Sequence, residues 1–127
     1  MFKAVGAFSG FSVDNLEKAK KFYTETLDLE IASEEMGVHF SLPGGGSLFI
    51  YPKENHKPAT FTVLNFVVEN VDKAVDALSK KDVKFEMYEG FHQDEKGIAR
   101  DPSGKNGPAI AWFKDPAGNI LSVLQDK

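Results

Sequence analysis

Hydrophobic and polar positions along this chain change period twice, in the same order. Gly6 to Val13 and Thr60 to Val68 are rich in Phe and Val and predict extended strands. Leu16, Ala19, Phe22, Tyr23 and Leu27 then recur at helical spacing, as do Val71, Ala74, Val75 and Leu78 further on. Asp14 or Asn15 caps the first helix, and Glu17, three residues after Asp14, forms a capping box with it. Leu29 to Ser33 and Val83 to Tyr88 return to an extended pattern. Each half closes with a hairpin, Val38–Leu42 with Leu48–Tyr51 and Ala109–Lys114 with Asn119–Leu124. Pro43-Gly44-Gly45-Gly46 and Asp115-Pro116-Ala117-Gly118 supply the two turns.

The halves are copies of each other. At a shift of 55, the nine residues from Phe11 to Ala19 fall on Phe66 to Ala74, with five identities and three conservative changes. At a shift of 72, Val38-His39-Phe40 falls on Ile110-Ala111-Trp112 and Gly46–Phe49 on Gly118–Leu121. The predicted fold is therefore α+β: tandem βαβββ modules over 1–56 and 57–127, within a single domain over 1–127. The growth in offset marks an insertion in the second copy at about 94–108. That stretch is polar and rich in Gly and Pro, and predicts a surface loop, either a lid or a mobile connection.

Composition narrows the chemistry. The 127 residues include no Cys, three His and eleven Phe. Without Cys there are no disulfides, thiolate zinc sites, iron–sulfur clusters or Cys nucleophile. Any transition-metal site must draw on His39, His56 and His92 with carboxylates. Fifteen basic against nineteen acidic side chains leave a net charge of −4, which repels a phosphate backbone, so no nucleic-acid partner is expected. No apolar run reaches the roughly eighteen residues of a membrane span and no signal-peptide pattern opens the chain, so no membrane association and a cytoplasmic location are expected.

Phe11-Ser12-Val13-Asp14-Asn15-Leu16 leading to Phe22-Tyr23, and Trp112-Phe113-Lys114-Asp115-Pro116-Ala117-Gly118-Asn119, resemble the two signatures of the vicinal oxygen chelate superfamily. This family includes glyoxalase I, bleomycin-resistance proteins and extradiol dioxygenases. The resemblance covers essentially the whole chain. It implies a glyoxalase/bleomycin-resistance-like incomplete barrel with a central cleft between the modules, and a homodimer. In metal-dependent members a divalent metal sits in that cleft on His, Glu or Gln side chains. Carried onto this sequence, the ligand positions are Phe8, Ile50, Val63 and Ser122. Three of these cannot coordinate and a neutral Ser hydroxyl is a poor ligand, so no metal or other cofactor is expected at them.

Strand alternation then lists what the cleft holds instead. Phe8, Gly10 and Ser12 face it from the first strand, and Val63, Asn65 and Val67 from the second module. Hairpin pairing sets Phe113 opposite Ile120, Ala111 opposite Ser122, Ser41 opposite Leu48 and His39 opposite Ile50. The expected cleft set is thus Phe8, Ser12, His39, Ser41, Ile50, Val63, Asn65, Phe113 and Ser122, mostly apolar with a few polar groups. His39 points away from the helix and is the candidate acid/base, since imidazole titrates near neutral pH. Tyr88, His92 and Arg100 are candidates for the rim. Arg100, the sole Arg, either clamps an anion or pairs with Asp101 on the surface. Tyr51 has helix-side parity, and His56 lies in a polar linker and reads as exposed.

Three functions are compatible with this set. The first is a metal-independent protein that binds a small organic molecule, as in the bleomycin-resistance branch. The second is an enzyme of the same scaffold (lyase, isomerase or dioxygenase-like) using His39 as acid/base or a non-standard metal site. The third is a dimeric interaction module with a closed cleft.

Overall fold

Strand β1 (Ser9–Val13) leads to helix α1 (Leu16–Lys21), which runs on as a π-helical turn over Phe22–Thr26. Strands β2 (Glu30–Glu34), β3 (Val38–Ser41) and β4 (Ser47–Pro52) follow. After them come β5 (Thr62–Val67), helix α2 (Val71–Ser79), β6 (Ala109–Lys114) and β7 (Ile120–Gln125). This computed structural model describes residues 1–101 and 108–126. It divides into two units, Met1–Lys57 and Pro58–Lys127. The α+β fold expected from the sequence is present, with one sheet in each unit.

In the first unit the strand order is β1-β4-β3-β2, with β1 parallel to β4 and the other pairs antiparallel. One face carries the core. Val13, Val38, Phe40, Leu48 and Ile50 are buried, together with Ala19 and Tyr23 of the helical segment. The Tyr23 ring lies 5.6 Å from Phe40 and 6.3 Å from Phe11. Asn15, not Asp14, is the helix cap, accepting a bond from the Lys18 amide at 3.0 Å. Glu17 therefore stands one position too early for a capping box, which needs it three residues after the cap. Lys20 reaches Glu34 on β2 at 2.8 Å, which raises the lysine pKa through the hydrogen bond first and the charge second.

The second unit orders its strands β5-β7-β6, again with the first pair parallel. Val71 and Val75 of α2 are buried, as are Ala111, Phe113, Leu121 and Val123 of the sheet. Asn70 caps α2 through the Lys73 amide at 3.0 Å, repeating Asn15 and Lys18 at the shift of 55. The Gln125 side chain accepts a further orphan amide, that of Val71, at 2.9 Å.

Here the expected βαβββ pattern is incomplete. Val83–Tyr88 forms no ladder strand; its backbone meets β6 through a Phe85–Phe113 bridge and the Glu86 amide on the Trp112 carbonyl at 2.8 Å. The Gln93 side chain accepts the Tyr88 amide instead, at 2.7 Å. Part of the expected loop is also ordered. Gln93 bridges Ala99, Ala99 bridges Ile110, and Ile98 and Ala99 are buried. The rest of that loop, 102–107, and with it the reading as lid or mobile connection, lies outside the described residues.

Both hairpins close one residue away from the expected register. Leu42 donates to Gly46 at 2.8 Å and Gly45 to Leu42 at 3.2 Å; Asp115 donates to Asn119 and Gly118 to Asp115, both at 3.0 Å. These turns superpose at a shift of 73, with Pro43 on Pro116 and Gly45 on Gly118. Because side chains alternate faces, a slip of one residue moves the assignments of one strand in each hairpin, β4 and β6, to the opposite face.

Candidate functional site

The face of each sheet turned away from its helix carries the polar and aromatic groups of interest. In the first unit, pairing aligns Gly10, Phe49, His39 and Ser33 in one row across β1, β4, β3 and β2. In the second, Asn65, Ser122 and Trp112 form the matching row across β5, β7 and β6. The repeat thus sets Phe49 where Ser122 stands and His39 where Trp112 stands.

This row corrects two of the expected cleft residues. Ile50 and Phe113 are fully buried on the helix side, Ile50 paired with Val38 and Phe113 ring-to-ring with Phe85 at 5.5 Å. Phe49 and Trp112, one position before each, take their places. Tyr51 moves the other way. It pairs with Ser12 on the row's side of the sheet, and its ring stacks on Phe49 at 5.5 Å.

The first unit's face is an aromatic cluster. His39 stacks on Phe49 with centroids 4.4 Å apart and planes inclined by 26°. Phe8 stands edge-on to both, 5.4 Å from His39 and 6.4 Å from Phe49, and is itself 61% exposed. Gly37 makes room for this stack, since a Cβ there would lie 2.8 Å from the Phe49 ring. Ser12 Oγ and His56 Nδ1 are 2.6 Å apart, a hydrogen bond whose donor is set by the imidazole tautomer. His56 is thus half-buried and bonded, contrary to the exposed linker residue expected. Ser41 is exposed beyond His39, on a depression of about 260 Å³ shared with Leu29 and Leu42.

The second unit's face has a polar centre and an aromatic flank. The Ser122 hydroxyl, fully buried, bonds to Asn65 Oδ1. Val63 is half-buried at the irregularity in the β5–β7 register. Trp112 meets Tyr88 at 5.5 Å and Phe91 at 4.9 Å, so Tyr88 reaches this face as a neighbour of the tryptophan. His92 is exposed, and its carbonyl accepts the Arg100 amide at 3.3 Å.

Arg100 is committed to helix α2. One guanidinium nitrogen lies 2.9 Å from both Asp72 oxygens, and Nε lies 3.7 Å from Asp94. Lys96 beside it reaches Asp76 at 3.0 Å and Asp72 at 3.8 Å. The hydrogen bond from Arg100 is the main reason the Asp72 carboxyl is held below its usual range. Anion capture by a free Arg100 at a rim is replaced by this surface network.

The observed register also revises the metal test. Of the positions that the resemblance implies for ligands, Phe8, Val63 and Ser122 stay and Ile50 gives way to Phe49. Phe49 and Phe8 face each other there as rings, Val63 has no donor atom, and the Ser122 hydroxyl is bonded to Asn65. Among the described residues, no three His, Asp or Glu side chains are grouped to hold a metal ion. The donor set does not fit a divalent metal.

Trp112, Phe49 and Tyr51 are the residues that sequence reasoning missed at this site. The signal that finds the first two was present: aligning Pro43 with Pro116, and not Gly46 with Gly118, yields the shift of 73.

Comparison with known proteins agrees with this geometry. The family model of the Glyoxalase/Bleomycin resistance protein/Dioxygenase superfamily matches residues 7–123. No match to a curated protein reaches significance. Among solved structures, the chain is similar to TnmS3, an antibiotic-binding protein from Streptomyces sp. CB03234. The two share 22% identity over 99% of this chain and 100% of that one, with a TM-score of 0.69. It is also similar to a lactoylglutathione lyase from Agrobacterium tumefaciens, at 19% identity over 97% and 95% of the two chains, with a TM-score of 0.68. A superfamily member from Sphaerobacter thermophilus DSM 20745 gives 21% identity over 96% and 98%, with a TM-score of 0.68. Fold, paired rows and sequence match agree: the chain belongs to the Glyoxalase/Bleomycin resistance protein/Dioxygenase superfamily.

Proposed function

We propose that this chain is a metal-independent binding protein for small, flat organic molecules, held on the aromatic faces of its two sheets. The observation that carries the reading is the Phe8–Phe49 pair, two rings 6.4 Å apart at positions that the family resemblance implies for metal ligands. Rings there exclude coordination and supply stacking area, which binds planar ligands through dispersion and offset or edge contacts. The polar groups on these faces, His39 and Ser12 in the first unit and Ser122 and Asn65 in the second, are few and placed, as in small-molecule sites generally. The antibiotic-binding relative supports the same class of activity. The acidic balance favours neutral or cationic ligands over anionic ones.

The working unit in this reading is a cytoplasmic homodimer. Strands β1 and β5 end their sheets, and edge strands need covering. Light scattering checks the dimer.

The chain's single tryptophan, Trp112, tests the binding claim. Titration with planar aromatic antibiotics should change its emission saturably, and Phe49→Ala should weaken affinity for the same compounds. A panel that leaves emission and melting temperature unmoved contradicts the proposal.

A further inference from the structure

Among the described residues, the hydroxyl of Tyr88 is the one buried side-chain polar atom with no hydrogen-bond partner. Buried polar groups are otherwise satisfied in native proteins, so an orphan donor needs an account. Its ring stands edge-on to Trp112 at 5.5 Å, and Phe91, 54% exposed, covers another part of the same indole at 4.9 Å.

The position is built. The Gln93 side chain accepts from the Tyr88 amide at 2.7 Å and donates to the carbonyls of Glu86 and Gly97, both at 2.8 Å. One side chain thus ties the backbone before, at and after the tyrosine. Asp94 stiffens the return by accepting from the Lys96 and Ile98 amides, both at 2.9 Å.

The geometry points to Tyr88, whose ring stands against Trp112, as the hydrogen-bond donor for a ligand that is flat, aromatic and carries an acceptor oxygen. This rests on the binding function proposed above and names the ligand chemistry at the second unit's face. Burial, and secondarily Glu86, raise the phenol's pKa above its ordinary value, so it remains a donor at neutral pH.

Two neutral bicyclic probes of similar size test it: coumarin, which carries a carbonyl acceptor, and naphthalene, which does not. Binding is followed through Trp112 emission and by NMR titration of the probe. The wild-type chain should prefer coumarin by about tenfold, the ratio one net hydrogen bond supplies. Tyr88→Phe should abolish that preference while leaving naphthalene affinity unchanged, and should hold or raise the melting temperature, because it deletes an unpaired buried donor. A lower melting temperature in Tyr88→Phe overturns the inference by showing that the hydroxyl is already satisfied. So does an undiminished coumarin preference in that variant, or equal wild-type affinity for the two probes, and both leave the binding function standing. Failure of both probes to bind wild type overturns the binding function and this inference together.

Discussion

The imidazole of His39 lies stacked on the ring of Phe49, with centroids 4.4 Å apart and planes inclined by 26°. These residues face each other across β3 and β4 in the register that the Leu42–Gly46 turn sets. The stack turns two side chains of different chemistry into one flat surface, with Tyr51 continuing it along β4 at 5.5 Å. Phe49→Ala should destabilise the first unit by about 1–3 kcal/mol, less than a fully buried Phe would cost, since the ring is only half-buried. Denaturant unfolding measures it.

Register is testable by installing a metal site. Phe8→His with Phe49→Glu puts two ligands on side chains that already face each other and should create nickel or zinc binding measurable by calorimetry. Phe8→His with Ile50→Glu should create none and should unfold the chain, because Ile50 is fully buried and an unpaired carboxylate there is strongly unfavourable. Metal binding by the second pair and not the first would restore the register expected from the sequence.

Helix caps were legible in part: the sequence left Asp14 and Asn15 open, and the structure chooses Asn15 without the Glu17 capping box. Asn15 and Asn70 fall on each other in the sequence repeat, and both accept the amide three residues on. Asn15→Ala and Asn70→Ala should each cost about 1 kcal/mol of stability by thermal or denaturant unfolding. A negligible loss in either would mean that water satisfies the freed amides equally well.

Faces were less legible than elements, for a definite reason. Alternation fixes which side chains share a face only once one residue of the strand is anchored, and the anchor for β4 and β6 is the turn. Gly-rich sequence between Pro43 and Gly46 fits two alignments to Asp115–Gly118, and only backbone bonding decides between them. So His39 was placed on its face correctly from β3 alone, while Ile50 and Phe113 were not. Non-local pairings were hidden entirely. Nothing near His56 in sequence announces Ser12, and nothing near Arg100 announces Asp72, which lie 44 and 28 residues away.

The Arg100–Asp72 pair predicts a small pH effect of known sign. Asp72 is ionised more readily in the folded chain than in the unfolded one, so its contribution to stability is present above its unfolded pKa, about 4, and is lost as pH falls through the lower folded value. Both side chains are close to half exposed, so the contribution is under about 1 kcal/mol. Melting curves of wild type and Asp72→Asn should differ slightly at neutral pH and converge well below pH 4. A gap that widens on acidification contradicts the assignment.

The most direct test of the account is ligand-induced stabilisation of chelator-treated protein. Melting temperatures would be recorded against planar aromatic compounds, first after exhaustive chelation and then with zinc, nickel or iron restored. The predicted result is a saturable rise with some of these compounds that chelation does not diminish and metal does not enhance. A rise that appears only when a divalent metal is supplied would contradict it.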